Sequence, residues 1–107
     1  MRFEALERSF VLIRSLREPV RKLRSLNPDL CRQIRRSGSS IPNNLAEGSA
    51  RTGKDRSFHF RVADGSAREL HASLRTADAW GDLRTHEIAE SLQILDRVKR
   101  LTWGLTH

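Results

Sequence analysis

Arg14, Arg17, Arg21 and Arg24 recur at spacings of 3, 4 and 3, which sets four guanidinium groups in one row along a helix. A guanidinium is a planar fork of donors that matches two phosphate oxygens at once. Such a row suits the backbone of a nucleic acid. Lys22, Arg32, Arg35, Arg36, Arg51 and Lys54 extend the basic set. Residues 1–54 carry 12 Arg and Lys against 5 Asp and Glu, whereas residues 55–107 carry 8 of each. All of the net charge of +7 therefore lies in the first half, the footprint expected of a polyanion binder. The competing explanation is a solvated face in an arginine-rich composition, since 17 of the 20 basic residues are Arg. Base-stacking aromatics are scarce, with no Tyr, and Phe3 and Phe10 are expected in the core. That favours recognition of backbone and shape over reading of a single-stranded sequence.

Other chemistries find less support. Gly48-Ser49-Ala50-Arg51-Thr52-Gly53-Lys54 has the glycine and lysine spacing of a phosphate-binding P-loop. Asp55 stands where the Mg²⁺-binding hydroxyl belongs, and nothing before Gly48 reads as a strand, so this match is set aside. His59, His71, His86 and His107 include no i, i+4 pair, and the lone Cys31 cannot complete a structural zinc site. No metal or cofactor is expected. Cys31 reads as a small apolar filler. Asp78 and Asp82 are i, i+4 neighbours expected on a solvated face. Asn44 and Glu47 share a face at i, i+3, but a single carboxylate without a perturbing partner is weak ground for catalysis. Their expected role is to cap the break at Gly48 or to tie neighbouring helices together. No activated nucleophile is evident, no catalytic residue is assigned, and no enzymatic activity is expected.

These residues need helices to position them. Phe3, Leu6, Phe10, Ile13, Leu16, Val20 and Leu23 form one apolar stripe that keeps phase across Pro19. This predicts a single first helix, bent near Ser15 to Glu18. Asn27-Pro28-Asp29 then supplies an N-cap, a first-turn proline and an acid at the positive end of the helix dipole. Leu30, Ile34, Gly38, Ile41 and Leu45 continue at helical spacing through Ser37-Gly38-Ser39-Ser40 and Pro42, which predicts a kinked but continuous second helix. Thr52-Gly53-Lys54-Asp55 has the spacing of a capping box. Phe60, Ala63, Ala67, Leu70, Leu74 and Ala77 mark a third helix, stopped at Gly81. Thr85 is expected to cap a last helix carrying Ile88, Leu92, Leu95, Val98, Leu101 and Leu105. No segment alternates with period two. The expected fold is all-α, an antiparallel up-down four-helix bundle with helices one and two kinked at Pro19 and Pro42.

A length of 107 residues suits one domain over 1–107, with a core small enough that self-association would help. Hydrophobic residues are 37% and charged residues 31%, too apolar for disorder. The longest apolar run, Phe10-Val11-Leu12-Ile13, cannot span a bilayer, so no membrane partner is expected. Acids follow Met1 where a signal peptide would be apolar, and one cysteine excludes a disulfide framework, so the cytoplasm is the expected location. Leu12, Ile94 and Trp103 fall outside the main stripes and are expected to support contact between copies.

Arg35-Arg36, then Ser40-Ile41-Pro42-Asn43-Asn44-Leu45-Ala46-Glu47-Gly48, then Arg51, Phe58, Phe60, Ser66 and Glu69-Leu70, resemble the bacterial 23S rRNA intervening-sequence proteins. The resemblance covers the chain in order and length, and the octet Ile41 to Gly48 is its most specific part. Two departures stand out: Arg56-Ser57 precede Phe58 where the family usually has Glu, and Arg61 and Asp64 interrupt its aliphatic run. The resemblance implies an up-down four-helix bundle, often assembled as a ring-like homopentamer. It implies structural roles for Pro42, Asn44, Glu47 and Gly48. Some members are encoded within insertions in large-subunit rRNA genes. Distant basic relatives are accessory proteins of retroelement reverse transcriptases and contact both enzyme and RNA.

The expected function is a non-enzymatic oligomer that binds RNA, or nucleic acid generally, through its first two helices. The alternative is a protein-interaction subunit, for example of a reverse transcriptase, whose arginines meet an acidic partner.

Overall fold

The computed structural model describes residues 3–107; Met1 and Arg2 lie outside the described residues. The chain forms α1 (Glu4–Ser15), α2 (Arg17–Leu26), α3 (Pro28–Ser49), α4 (Gly53–Trp80) and α5 (Thr85–Gly104). Among the described residues there is no strand.

α1 and α2 replace the single bent helix predicted for this stretch, and Pro19 is the cause. Its nitrogen carries no hydrogen, so the Ser15 carbonyl four residues earlier loses its helical donor. The Leu16 N–H bonds instead to Ile13 O at 3.0 Å, a tightened turn. The Ser91 hydroxyl of α5 stands against this open carbonyl, 3.3 Å from Ser15 O and 2.8 Å from Ser15 Oγ. Leu16 keeps right-handed helical angles and accepts from Val20 N–H at 2.9 Å, so the break is one residue long.

The buried line of α1 also departs from the sequence pattern. It runs through Ala5, Ser9, Leu12 and on to Leu16. Phe10, expected inside, is 41% exposed, and Leu12, expected to be spare for self-association, is fully buried. Small residues explain the choice, because Ala5 and Ser9 let a neighbour approach closely where Phe10 would hold it off. Phe3 and Leu6 pack on the edge of the core.

α3 begins as expected. Asn27 Oδ1 accepts from Leu30 N–H at 3.2 Å, and Pro28 occupies the first turn. The helix continues unbroken through Ser37 to Ser40 and past Pro42. Ser37 turns its hydroxyl back to Gln33 O at 2.8 Å, so a buried polar side chain is satisfied within its own helix. Leu30, Ile34, Gly38, Ile41 and Leu45 are all buried, as the spacing predicts.

α4 buries Phe60, Ala63, Ala67, Leu70, Leu74 and Ala77, also as predicted. Its alanines admit α3 at short range, and α3 with α4 is the most extensive helix pairing. The predicted capping box does not form: Thr52 sits at the N-cap, but its hydroxyl makes no capping bond. Gly81 ends α4 with φ +80°, the left-handed conformation glycine tolerates. Arg84 rather than Thr85 is the N-cap of α5, and Glu87 accepts from its N–H at 2.8 Å. Asp78 and Asp82 are half-buried rather than solvated. Thr85 donates to Asp78, and Asn27 Nδ2 donates to Asp82 at 3.0 Å, tying the α2–α3 junction to the α4–α5 turn.

One core draws on all five helices. The molecule is 42 Å long, about the length of a 28-residue helix at ~1.5 Å per residue. Among the described residues no helix is long and apolar enough to cross a membrane.

Candidate nucleic-acid interface

α2 turns Val20 and Leu23 into the core, so its arginines must face outward. Arg17, Arg21 and Arg24 stand along one edge of a groove between α2 and α3, and Arg35 and Ser39 of α3 stand along the other. The groove has a volume of about 290 Å³ and a floor of Ile13, Leu16, Val20, Ile34 and Gly38. Arg14 lies just before it, exposed at the end of α1. From Arg17 to Arg24 is roughly 10 Å at ~1.5 Å per residue, the length of about three successive phosphates on one duplex strand at ~3.4 Å each.

Ion pairing divides the ten basic candidates. Lys22 reaches Glu87 of α5 at 2.8 Å, Arg36 reaches Glu69 of α4 at 3.6 Å, and Arg51 reaches Glu47 at 2.5 Å. Arg21 pairs with Glu18 and Arg32 with Asp29, each within its own helix. Among the described residues Arg14, Arg17, Arg24, Arg35 and Lys54 have no carboxylate partner. Three of those five line the groove, and Arg14 is exposed at the end of α1, outside its lining. Lys54 lies apart, at the start of α4. Among the described residues the second half also keeps arginines without a carboxylate partner, Arg56, Arg61, Arg75 and Arg84, but they are spread along α4 and on to the start of α5, with Arg61 and Arg75 alone roughly 21 Å apart at ~1.5 Å per residue. Charge that is diffuse in the second half converges at the groove.

The Lys22 contact has a clear electrostatic consequence. Its ammonium, followed by the Arg84 N–H, holds the Glu87 carboxyl below its ordinary range. Lys22 is therefore engaged in joining α2 to the start of α5.

The octet Ile41 to Gly48 is placed elsewhere, against α4. Asn44 Nδ2 donates to Ser40 O at 2.9 Å, which leaves its Oδ1 to face His59 Nδ1 at 3.0 Å. The proton of that bond must sit on Nδ1, because an amide oxygen only accepts. Ser66 donates to Ser40 Oγ at 2.7 Å, extending the polar link between the helices. Gly48 faces Phe60, where an added Cβ would lie 2.7 Å from the ring. Arg56 covers the same ring at 4.7 Å from its centroid, and Phe3 meets it edge-on at 6.1 Å. Pro42 is buried. Glu47 faces outward to Arg51, whose hydrogen bond and charge hold its carboxyl below the ordinary range and raise the guanidinium. The octet and the groove thus occupy different parts of α3.

The segment from Gly48 to Lys54 takes in the end of α3, the connection over residues 50–52 and the start of α4, so it follows a helix, not a strand. Among the described residues no three His, Cys, Asp or Glu side chains gather closely enough to hold a metal. Sequence reasoning missed Ser39 and the apolar floor of the groove, because a floor shared by two helices leaves no mark in the spacing of either. It also missed His59 as the partner of Asn44 and Ser66 as the partner of Ser40. Their only signal is that both are polar residues at intervals along α4 that face α3.

Comparison with known families and proteins bears on this arrangement. The family model described as 23S rRNA-intervening sequence protein matches residues 2–104, nearly the whole chain. Neither the curated proteins nor the solved structures hold a match to it.

Proposed function

The chain belongs to the 23S rRNA-intervening sequence protein family, and from that premise we propose that it is a non-enzymatic, oligomeric RNA- or nucleic-acid-binding protein. One observation carries the reading. Among the described residues Arg17, Arg24 and Arg35 have no carboxylate partner, and they line one groove together with Arg21. A folded chain neutralises clustered charge where it can, so a cluster left open invites a polyanion.

In this reading α1 and α2 act as one bent arm, and the chain is an antiparallel up-down four-helix bundle. The pairs Asn44 with His59, Ser40 with Ser66 and Arg36 with Glu69 support it, since positions descend along α3 as they rise along α4. Copies of the bundle assemble, with five as the expected number, in the cytoplasm. Exposed Phe10, Leu26, Phe58, Trp80 and Trp103 supply apolar surface for that assembly. Several parallel basic rows would multiply weak contacts.

The test compares two four-residue variants. Arg14, Arg17, Arg21 and Arg24 changed to Gln should weaken RNA binding and flatten the plot of log affinity against log salt by roughly 0.7–0.9 per lost phosphate contact. Arg68, Arg75, Arg84 and Arg97 changed to Gln should do little, although both variants lose equal charge. Equal losses would reduce the attraction to diffuse charge. Absence of wild-type binding at low salt would favour the other reading, an interaction subunit with an acidic protein partner such as a reverse transcriptase. Light scattering that gave a monomer at micromolar concentration would remove the oligomer.

A further inference from the structure

Charge alone does not describe the groove between α2 and α3, because its floor is apolar. We infer that it receives one unpaired nucleotide of a single-stranded RNA, with the base on that floor and the flanking phosphates on Arg17, Arg24 and Arg35. The inference rests on the nucleic-acid reading above and narrows it from a backbone strip to a strand with an accessible base.

Size is the first argument. A volume of about 290 Å³ is at the small end for ligand pockets, which begin near ~300 Å³, and fits one ring system with its sugar rather than a longer group. The second is the state of the floor. Ile34 is fully buried, and Leu16 and Val20 are 4% and 7% exposed, so the half-buried Ile13 offers most of the open apolar surface. Little apolar area remains to reward the ridge of an amphipathic helix, which needs anchors over two turns. A flat base needs only one face. Gly38 contributes to this shape: a Cβ there would stand 3.7 Å from Leu16 Cδ1, over the floor, and its absence keeps the slot open.

The rim is the third argument. Guanidinium planes stack on bases and fork onto phosphates, so the same side chains serve both parts of a nucleotide. Ser39, exposed at the rim, adds a hydroxyl that can donate to or accept from a base edge. A base within a duplex is stacked on its neighbours and cannot enter, whereas an unpaired one is free to do so.

Fluorescence anisotropy at one low salt concentration tests this with three oligoribonucleotides of equal phosphate count: unpaired, abasic and blunt duplex. The expected result is about two- to fivefold tighter binding of the unpaired strand than of the abasic one, the scale of one guanidinium stacked on a base. Ser39→Leu narrows the mouth without changing charge. It should erase that preference and leave the salt slope as it was. Equal binding of unpaired and abasic strands by the wild-type protein would overturn the slot and leave the basic row standing. Retention of the preference by Ser39→Leu would also overturn it, by placing the base elsewhere. Failure of every strand to bind would overturn both readings, and capture of an acidic amphipathic peptide in their place would give the groove to a protein partner.

Discussion

From Ser40 to Gly48, α3 commits its polar and small residues to α4. Asn44 bonds His59, Ser40 accepts from Ser66, and Gly48 lies bare against Phe60. Between Ile34 and Ser39 two residues of the same helix do the reverse: Arg35 and Ser39 stand at an open groove with no hydrogen-bond or ion-pair partner among the side chains of the described residues. The stretch that looks most distinctive in the sequence is thus used in packing. The stretch that looks generic, arginine beside serine, holds the chemistry left available to a ligand. A specific motif records a tight constraint, and tight constraints arise as readily from close helix packing as from binding.

Glycine substitutions test the packed region most strongly, with an exposed glycine of α4 as the control. Gly48→Ala gains helix propensity of ~1 kcal/mol, yet its new methyl meets a buried ring, and overpacking costs about 1–3 kcal/mol. A net loss is expected, read as a lower urea midpoint. Gly65→Ala, on the exposed side of α4 with nothing within 4 Å, should instead stabilise by about 0.5–1 kcal/mol. If both raise the midpoint, the packing account of the octet fails.

A double-mutant cycle on Asn44→Ala and His59→Ala is the next largest effect. A coupling of ~0.5–1.5 kcal/mol is expected for a half-buried hydrogen bond between helices. A coupling near zero would mean that the helices are held by apolar contact alone.

Removing the groove charge should act on binding and not on folding. Arg17, Arg24 and Arg35 changed together to Gln should leave stability within ~0.5 kcal/mol of wild type, since no ion pair is lost. A drop of several degrees in Tm would show that these arginines belong to the fold, and the contrast between the two regions would collapse.

The smallest effect is a titration. Glu47, held low by Arg51, should lose its proton below the ordinary glutamate range in carboxyl NMR. A depressed carboxylate stabilises the fold above its unfolded pKa, and that contribution disappears as pH falls through the folded value. Arg51→Gln should return Glu47 toward its ordinary range. An unchanged value would remove Arg51 as the cause.

Much of the helical layout was legible because spacing, caps and stops are local. Asn27-Pro28, the stripe of α3 through Pro42, the alanine-rich stripe of α4 and Gly81 all follow from interactions within a few residues. The same local rules misjudged α1. Both Phe10 and Leu12 are apolar and both fit a helical stripe, so spacing cannot choose between them. The choice fell to Ala5 and Ser9, whose small size sets how near the neighbouring helices come. The carbonyl that Pro19 leaves open, Ser15 O, faces the Ser91 hydroxyl, 76 residues away in the chain and invisible to local rules.

The sequence by itself determined an all-α chain with its positive charge in the first half, because composition and periodicity are properties of neighbours. It did not determine which charges remain open. Lys22, Arg36 and Arg24 look alike in the chain, yet among the described residues Lys22 meets Glu87, Arg36 meets Glu69, and Arg24 meets no acid. Tertiary structure decided this, since an ion pair between helices depends on which faces pack together. It also made the groove, whose floor takes Val20 from one helix and Ile34 from another and exists only once the two are side by side.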